Sequence, residues 1–195
     1  MRLVLFDFDG TLTRKDTLFE FIVFSRGRFR LFWGLFLNLA NFMRFYLGRI
    51  SNAQLKEIVL AHFFGGQSAS SFNRMGEAFA REVIPSILRA EAPDVIEWHQ
   101  NKGSRVIIVT ASCSNWIKAW SDQIGVELIA TELDVVNGLI TGKIRGRNCH
   151  GPEKVSRIHS HVDVKQYDKI VAYGDSKGDH QMLAMADEGY FKTLR

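Results

Sequence analysis

Three short, almost wholly apolar runs of β-forming residues most constrain what this chain can become: Arg2–Phe8, Arg105–Thr110 and Lys169–Tyr173. Runs of this length without polar alternation are strands covered on both faces. Helical patterns separate them: Pro93–Asn101 with a stop at Gly103, Asn115–Ile124 stopped by Gly125, then Pro152–Ser160 and Gly178–Ala186. Buried strands alternating with helices predict a parallel α/β sheet. Asn137-Gly138, between Leu133–Val136 and Leu139–Ile144, marks a tight hairpin. We expect that hairpin to extend the sheet edge, and we assign the residues after Phe191 to a candidate edge strand.

The stretch from Phe19 to about residue 90 breaks this rhythm. It has helical periodicity, few strand signals, and eight of the 15 phenylalanines between Phe19 and Phe45. Ser51-Asn-Ala-Gln54 reads as a capping box that opens a helix to about Phe64, stopped by Gly65-Gly66. A further helix is expected over 70–82, and the spacing predicts a single helix over 29–47. With 195 residues and 46% hydrophobic content, the chain can bury one core with a sizeable insertion. The expected organisation is therefore a core formed by 1–15 and 91–195, with a helical cap at 16–90.

Each apolar run ends in residues able to do chemistry. The first ends in Asp7-Phe8-Asp9-Gly10-Thr11, the second in Thr110-Ala111-Ser112, the third in Gly174-Asp175-Ser-Lys-Gly-Asp179. In parallel sheets ligands sit at the carboxyl ends of the strands. Asp7 and Asp9 at one strand end repel each other unless a cation or a shared proton intervenes. With Asp175 and Asp179 at the same edge, several hard oxygen ligands converge, a donor set that suits Mg²⁺. Lys154, near the start of a helix after Gly151-Pro-Glu, can neutralise phosphate and carboxylate charge.

This set fits phosphoryl transfer, which is mainly positioning and charge stabilisation. Asp7 would attack phosphorus and form an aspartyl phosphate. Asp9 would act as general acid and then general base. Gly10 lets the backbone approach the phosphate closely. Asp7, Asp9, Asp175 and Asp179 are the candidate metal residues. Each acid alone could be a turn or helix cap; the argument rests on their joint occurrence at three strand ends.

Those four segments, in that order, resemble the motifs of the haloacid dehalogenase superfamily of phosphatases. The resemblance implies a Rossmann-like parallel sheet sandwiched by helices. It places Thr110 and Lys154 with Asp7 and Asp9 in the catalytic group. It assigns substrate or phosphate binding to Phe8, Gly10, Thr11, Ala111 and Ser112. Its second acid, here Asp9, marks phosphatases rather than carbon–halogen hydrolases. A helical insertion between the first two motifs is similar to the phosphoserine phosphatase subgroup. Leu12-Thr13-Arg-Lys-Asp16-Thr17-Leu-Phe19 and Cys149-His-Gly151-Pro-Glu-Lys154-Val look like the branch that includes phosphatidylglycerophosphatase C. Phosphoserine phosphatases carry acids soon after the first motif; Arg14-Lys15 stand in that neighbourhood here. The substrates implied are a phosphorylated small molecule or a lipid head group.

The net charge of +4 is concentrated in one place. From Phe21 to Lys56 there is no acid, and Arg26, Arg28, Arg30, Arg44, Arg49 and Lys56 give +6, leaving −2 elsewhere. Two readings of 29–47 stay open: an aromatic cap core, which residue type favours, or peripheral contact with a membrane interface. Its uncharged run of 13 residues, Leu31–Met43, is too short to span a bilayer. Basic residues alternating with large aliphatics give no single-strand stacking pattern, and no nucleic-acid partner is expected. Two cysteines, Cys113 and Cys149, are too few for a disulfide framework. The N-terminal apolar run is too short for a signal peptide and contains an acid. A cytoplasmic protein is expected, with association to a membrane as the open alternative. His150 and His180 are further candidates for substrate contact, with surface positions as the default.

Overall fold

The structure is a computed structural model that describes residues 1–194. Strand β1 (Arg2–Phe6) is followed by six helices: α1 (Thr17–Arg26), α2 (Arg28–Leu37), α3 (Leu39–Tyr46), α4 (Asn52–Phe64), α5 (Ala69–Glu82) and α6 (Ile84–Ile87). Then come α7 (Ala92–Asn101), β2 (Arg105–Cys113), α8 (Lys118–Gln123) and β3 (Glu127–Thr131). The hairpin β4 (Leu133–Val136) and β5 (Leu139–Ile144) leads to α9 (Pro152–His161), β6 (Lys169–Gly174), α10 (His180–Met185) and β7 (Glu188–Phe191).

Five strands form one parallel sheet in the order β3-β2-β1-β6-β7. Alternation along β1 sends Leu3 and Leu5 to one face and Val4 and Phe6 to the other. Leu3 and Leu5 belong to a core layer with Ile158 of α9 and Met182 of α10. Val4 and Phe6 belong to the larger core, with Ile96 of α7, Trp120 of α8 and the helices after β1. Both faces are therefore covered, as the continuous apolar runs require.

Four expectations need correction. The hairpin does not extend the sheet; β4 and β5 form a separate two-stranded sheet. Its edge bonds to the α4–α5 connection instead, with Gly66 N–H donating to the Ile140 carbonyl, Ile140 N–H to the Gln67 carbonyl, and Ala69 N–H to the Gly138 carbonyl. Gly142 also packs so closely on α4 that a Cβ there would lie 2.3 Å from the Ala61 Cα. The helix expected over 29–47 is two helices broken at Asn38, whose side-chain amide donates to the Gly34 carbonyl. An asparagine bonding to a nearby carbonyl offers the backbone an alternative to the helix ladder. The edge strand precedes the tail: β7 ends at Phe191, residues 192–194 form no strand, and residue 195 lies outside the described residues. Finally, most aromatics of 29–47 do not enter a core, because Phe29, Phe32, Trp33, Phe36 and Tyr46 are exposed.

The capping box is present, with Ser51 Oγ accepting from Gln54 N–H and Gln54 Oε1 from Ser51 N–H. The segment between β1 and α7 carries its own aromatic cluster. Phe21 stacks on Trp116 at 4.9 Å and meets Phe64, Phe72 and Phe79 within 5.4 Å. That cluster fuses the helical insert to the segment following β2.

Candidate active site

Three neighbouring strands of the sheet deliver the chemistry to one edge. Asp7 follows β1, Thr110, Ala111 and Ser112 lie near the end of β2, and Asp175 follows β6. Asp7 is held in place by its own N–H, which donates to the Tyr173 carbonyl at 2.9 Å. Lys154 arrives from the first turn of α9, opposite the strand ends.

Lys154 is 1% exposed, so its ammonium needs partners. It has three: Asp7 Oδ1 at 2.6 Å, Asp179 Oδ1 at 2.7 Å and the Val109 carbonyl at 2.7 Å. Burial favours the neutral amine, but the two carboxylates outweigh it and hold Lys154 charged, above its ordinary range. The Asp179 carboxyl, despite burial, is held below its usual range by Lys154 and by Ser176. Asp179 Oδ2 accepts from the N–H groups of Asp175 and Ser176 and from the Ser176 hydroxyl. Asp7 goes the other way: burial outweighs Lys154 and, with the nearby Asp179, pushes it up to about 6.

Asp9 lines the same cavity but bonds to other partners. Its Oδ1 accepts from Thr17 N–H at 2.8 Å, and its Oδ2 accepts from the Ser112 hydroxyl. Thr17 is itself bonded to Ser112 at 3.0 Å and to the Trp116 ring N–H at 3.1 Å. Burial, then the charge of Asp16, push Asp9 up to about 7. A carboxyl titrating near neutrality can both give and take a proton at physiological pH.

Asp7, Asp175 and Asp179 each offer an oxygen, all within 4.8 Å of one another. The Lys154 ammonium bonds only two of these three acids, Asp7 and Asp179, and Asp175 Oδ1 is buried with no hydrogen-bond partner among the described residues. An orphaned buried carboxylate oxygen is what a hard cation would satisfy, so the donor set fits one. Gly10 makes room for the Asp175 carboxylate: its φ is +84°, and a Cβ there would lie 2.2 Å from Asp175 Oδ2. Arg89 fixes this turn by donating twice to the Gly10 carbonyl, at 2.8 and 3.1 Å.

A cavity of about 460 Å³ opens over the site. Asp7, Asp9, Thr110, Ala111, Ser112, Lys154, Asp175 and Asp179 all line it. Phe8, Gly10 and Thr11 do not. Phe8 is buried against Trp120, the Thr11 hydroxyl donates to Asp7 Oδ2, and Gly10 and Thr11 border a smaller neighbouring cavity. His150 reaches the main cavity; His180 packs on Phe191 instead.

The far wall comes from the helical insert: Leu18, Phe19, Phe42, Phe45, Leu55 and Lys56. Lys56 also donates to the Ala111 carbonyl, tying α4 to β2. Sequence reasoning counted Lys56 only within the basic segment, and no local pattern marks it as a site residue. Asp16 was within reach of it, as the acid next to Thr17. Its carboxylate caps α1 by accepting from the Leu18 and Phe19 N–H groups, and it lines the cavity. Arg14 and Lys15 point elsewhere, to the Ser86 carbonyl and to Glu20. The thiols of Cys113 and Cys149 are buried and pushed up to about 12 and about 11, which makes them unreactive.

Comparison with known proteins agrees with this arrangement. The chain is 35% identical to protein CicA of Caulobacter vibrioides over 195 residues, spanning 99% of this chain and 86% of that one. A crystal structure of a protein of unknown function from Bordetella pertussis Tohama I superposes with a TM-score of 0.79 at 26% identity, covering 95% of this chain and 86% of that one. A phosphoserine phosphohydrolase-like protein from Francisella tularensis shares the fold, with a TM-score of 0.68 at 19% identity over 98% of this chain and 86% of that one. The family model for haloacid dehalogenase-like hydrolases matches residues 4–184, from within β1 to within α10, and the chain belongs to that family.

Proposed function

We propose that this chain is a Mg²⁺-dependent phosphomonoester hydrolase, a phosphatase, that works through an aspartyl phosphate on Asp7. The observation that carries this reading is the pairing of two acids with different environments at one cavity floor. Asp7 is oriented by Lys154 and Thr11, while Asp9 lies beside it and is pushed up to about 7. In the first step Asp7 attacks phosphorus, the bond to the leaving oxygen breaks, and Asp9 supplies the proton that oxygen takes. In the second, Asp9 removes a proton from water as that water attacks phosphorus, releasing phosphate and free Asp7. Lys154 offsets charge on Asp7, and Thr110, Ala111 and Ser112 line the same cavity, where they would meet the phosphoryl group. A Mg²⁺ ion held by Asp7 and Asp175, with Asp179 beside them, would supply the positive charge that lets an anionic nucleophile meet an anionic phosphate.

Residues 16–90 would act as a cap over a core of 1–15 and 91–195. Support comes from the shared cavity, whose catalytic wall belongs to the core and whose apolar wall belongs to α1, α3 and α4. The substrate is a phosphorylated small molecule. Asp16 and Lys56, of opposite charge in one cavity, suit a zwitterionic leaving group such as serine. A second reading, a phosphate on a lipid head group, is favoured by Leu18, Phe19, Phe42 and Phe45 on the same wall. Two unpaired cysteines suit a reducing, cytoplasmic compartment.

Turnover of an aryl phosphate, phosphoserine and a detergent-dispersed lipid phosphate, each with Mg²⁺ and with chelator, tests the reading. Release of phosphate from none of the three with Mg²⁺ present overturns it. Asp9→Asn is expected to lower kcat about 10²–10⁴-fold, more on an alkyl than on an aryl ester, because aryl oxides leave without protonation. An equal loss on both ester types would remove Asp9 as the acid.

The cation has a separate readout. At about 100 times its Kd, Mg²⁺ should stabilise the fold by about 2.7 kcal/mol. For a chain of this size that raises Tm by about 5–10 °C. The sign with pH follows from Asp7. Its carboxyl is raised in the fold, so its ionised form is penalised as pH climbs from about 4 to about 6. Mg²⁺ relieves that penalty, so the shift should be larger at high pH than at low. A shift that shrinks as pH rises would count against cation binding at these acids.

A further inference from the structure

We propose that the face formed by α2 and α3 is a docking surface for an anionic lipid bilayer. The observation is an apolar surface in the wrong place for a soluble domain. Phe29 and Tyr46 are 81% and 84% exposed, and Phe32, Trp33, Phe36 and Met43 are each more than half exposed. Trp33 stacks on Phe36 with ring centroids 5.6 Å apart, so neighbouring rings form a patch. Scattered surface apolar residues are ordinary, but a contiguous patch of large rings marks a contact surface.

Charge identifies the partner. Arg28, Arg30, Arg44 and Arg49 are exposed on or beside the same two helices. None of them is ion-paired to a carboxylate among the described residues. The whole stretch from Phe21 to Lys56 contains no acid. Aromatic rings beside unpaired arginines match the chemistry of a head-group layer, where rings sit at the apolar boundary and guanidinium groups meet phosphates. A second copy of this chain fits poorly, since a two-fold contact would place the same arginines against each other. Spanning is excluded by length. With ten and eight residues, α2 and α3 are about 15 and 12 Å long, against an apolar layer of about 30 Å. Among the described residues no helix is long and apolar enough to cross a membrane. The two helices therefore lie flat, their rings entering the interface.

Docking would also orient the molecule. Phe42 and Phe45 of α3 line the cavity over Asp7, so its rim would face the bilayer; this last consequence rests on the phosphatase reading, while the docking itself does not.

The test is flotation of the purified full chain with unilamellar vesicles of phosphatidylcholine, alone or with about a third phosphatidylserine. We expect binding to the anionic vesicles at least about tenfold tighter than to neutral ones, weakening as ionic strength rises from about 0.05 to about 0.5 M. A Trp33→Ser, Phe36→Ser double variant should lose roughly tenfold or more, and Arg30→Glu, Arg44→Glu should lose the preference for anionic lipid. These side chains are exposed, and an unchanged Tm confirms that the variants fold. Absence of wild-type binding overturns the proposal. So does self-association in light scattering that the Trp33 and Phe36 changes abolish, which would make the face a dimer contact. Asp7→Asn should bind vesicles like wild type. Vesicle binding without turnover of any ester would sink the phosphatase reading alone; turnover without vesicle binding would sink the docking alone.

Discussion

Asp7→Asn is expected to lower turnover by at least about 10⁴-fold while leaving the cation-free protein no less stable than wild type. The change keeps the shape of the side chain but removes the attacking oxygen. The stability half follows from burial. Asp7 is 6% exposed and its carboxyl is pushed up to about 6, from an ordinary 3.8. A carboxyl raised in the fold costs stability progressively as the pH rises from its ordinary value to its raised one, and above about 6 the full cost, up to about 3 kcal/mol, applies. Asparagine carries no such penalty. Lys154 keeps Asp179 and the Val109 carbonyl as partners. Thermal melts in chelator at pH 8 should therefore show Tm unchanged or raised, and Mg²⁺ should then shift it less than in wild type. Full turnover in the variant would exclude Asp7 as nucleophile. A collapse of Tm would mean that its charge holds the fold together.

Lys154→Met reverses the pattern, since its main effect falls on the fold. It leaves the carboxylates of Asp7 and Asp179 buried without the cation they share. Breaking a buried pair by removing one partner costs about 3–5 kcal/mol. In a chain of this size that lowers Tm by about 6–20 °C. The third partner, the Val109 carbonyl, also loses its donor. Turnover should fall with stability, since Lys154 both orients Asp7 and offsets its charge. Saturating Mg²⁺ should return part of the lost Tm, because a divalent ion can compensate the same acids. A Tm within about 2 °C of wild type in chelator would show that these carboxylates are neutralised some other way.

The strand ends were the most legible part of the chain. Continuous apolar runs identify β1, β2 and β6 because a strand covered on both faces has no polar side to interrupt it. The acids after them stand out because nothing in an ordinary turn requires four of them. β3, with Glu127 at its start, was missed: it is an outer strand of the sheet, and its run is short. The hairpin itself was legible from Asn137-Gly138, and Asn137 does adopt φ +51°. Its destination was not, because local turn chemistry fixes a hairpin but not the surface that receives it. Lys56 was invisible for a similar reason. Nothing around it on α4 distinguishes it from a solvated lysine; only the folded position of α4, seated on β5, brings it to the Ala111 carbonyl. For 29–47, composition favoured a core, since aromatic residues at helical spacing usually pack inward. The break at Asn38 and the thinness of the insert leave those rings with no layer above them.

The hairpin that left the sheet changes what movement over the cavity involves. Glu57 of α4 accepts from Ile144 N–H at 2.9 Å, and Asn148, at the hairpin's return, donates to Asn52 while accepting from Thr131. Helix α4 is thus laced to a loop that starts and ends in the core. It cannot swing as a flap on a single pair of hinges. Any opening of α4 would either carry β4 and β5 along, pivoting near Thr131 and Asn148, or unzip their bonds to residues 66–69. Residues well outside the insert, at the foot of the hairpin, would then set how fast the cavity empties.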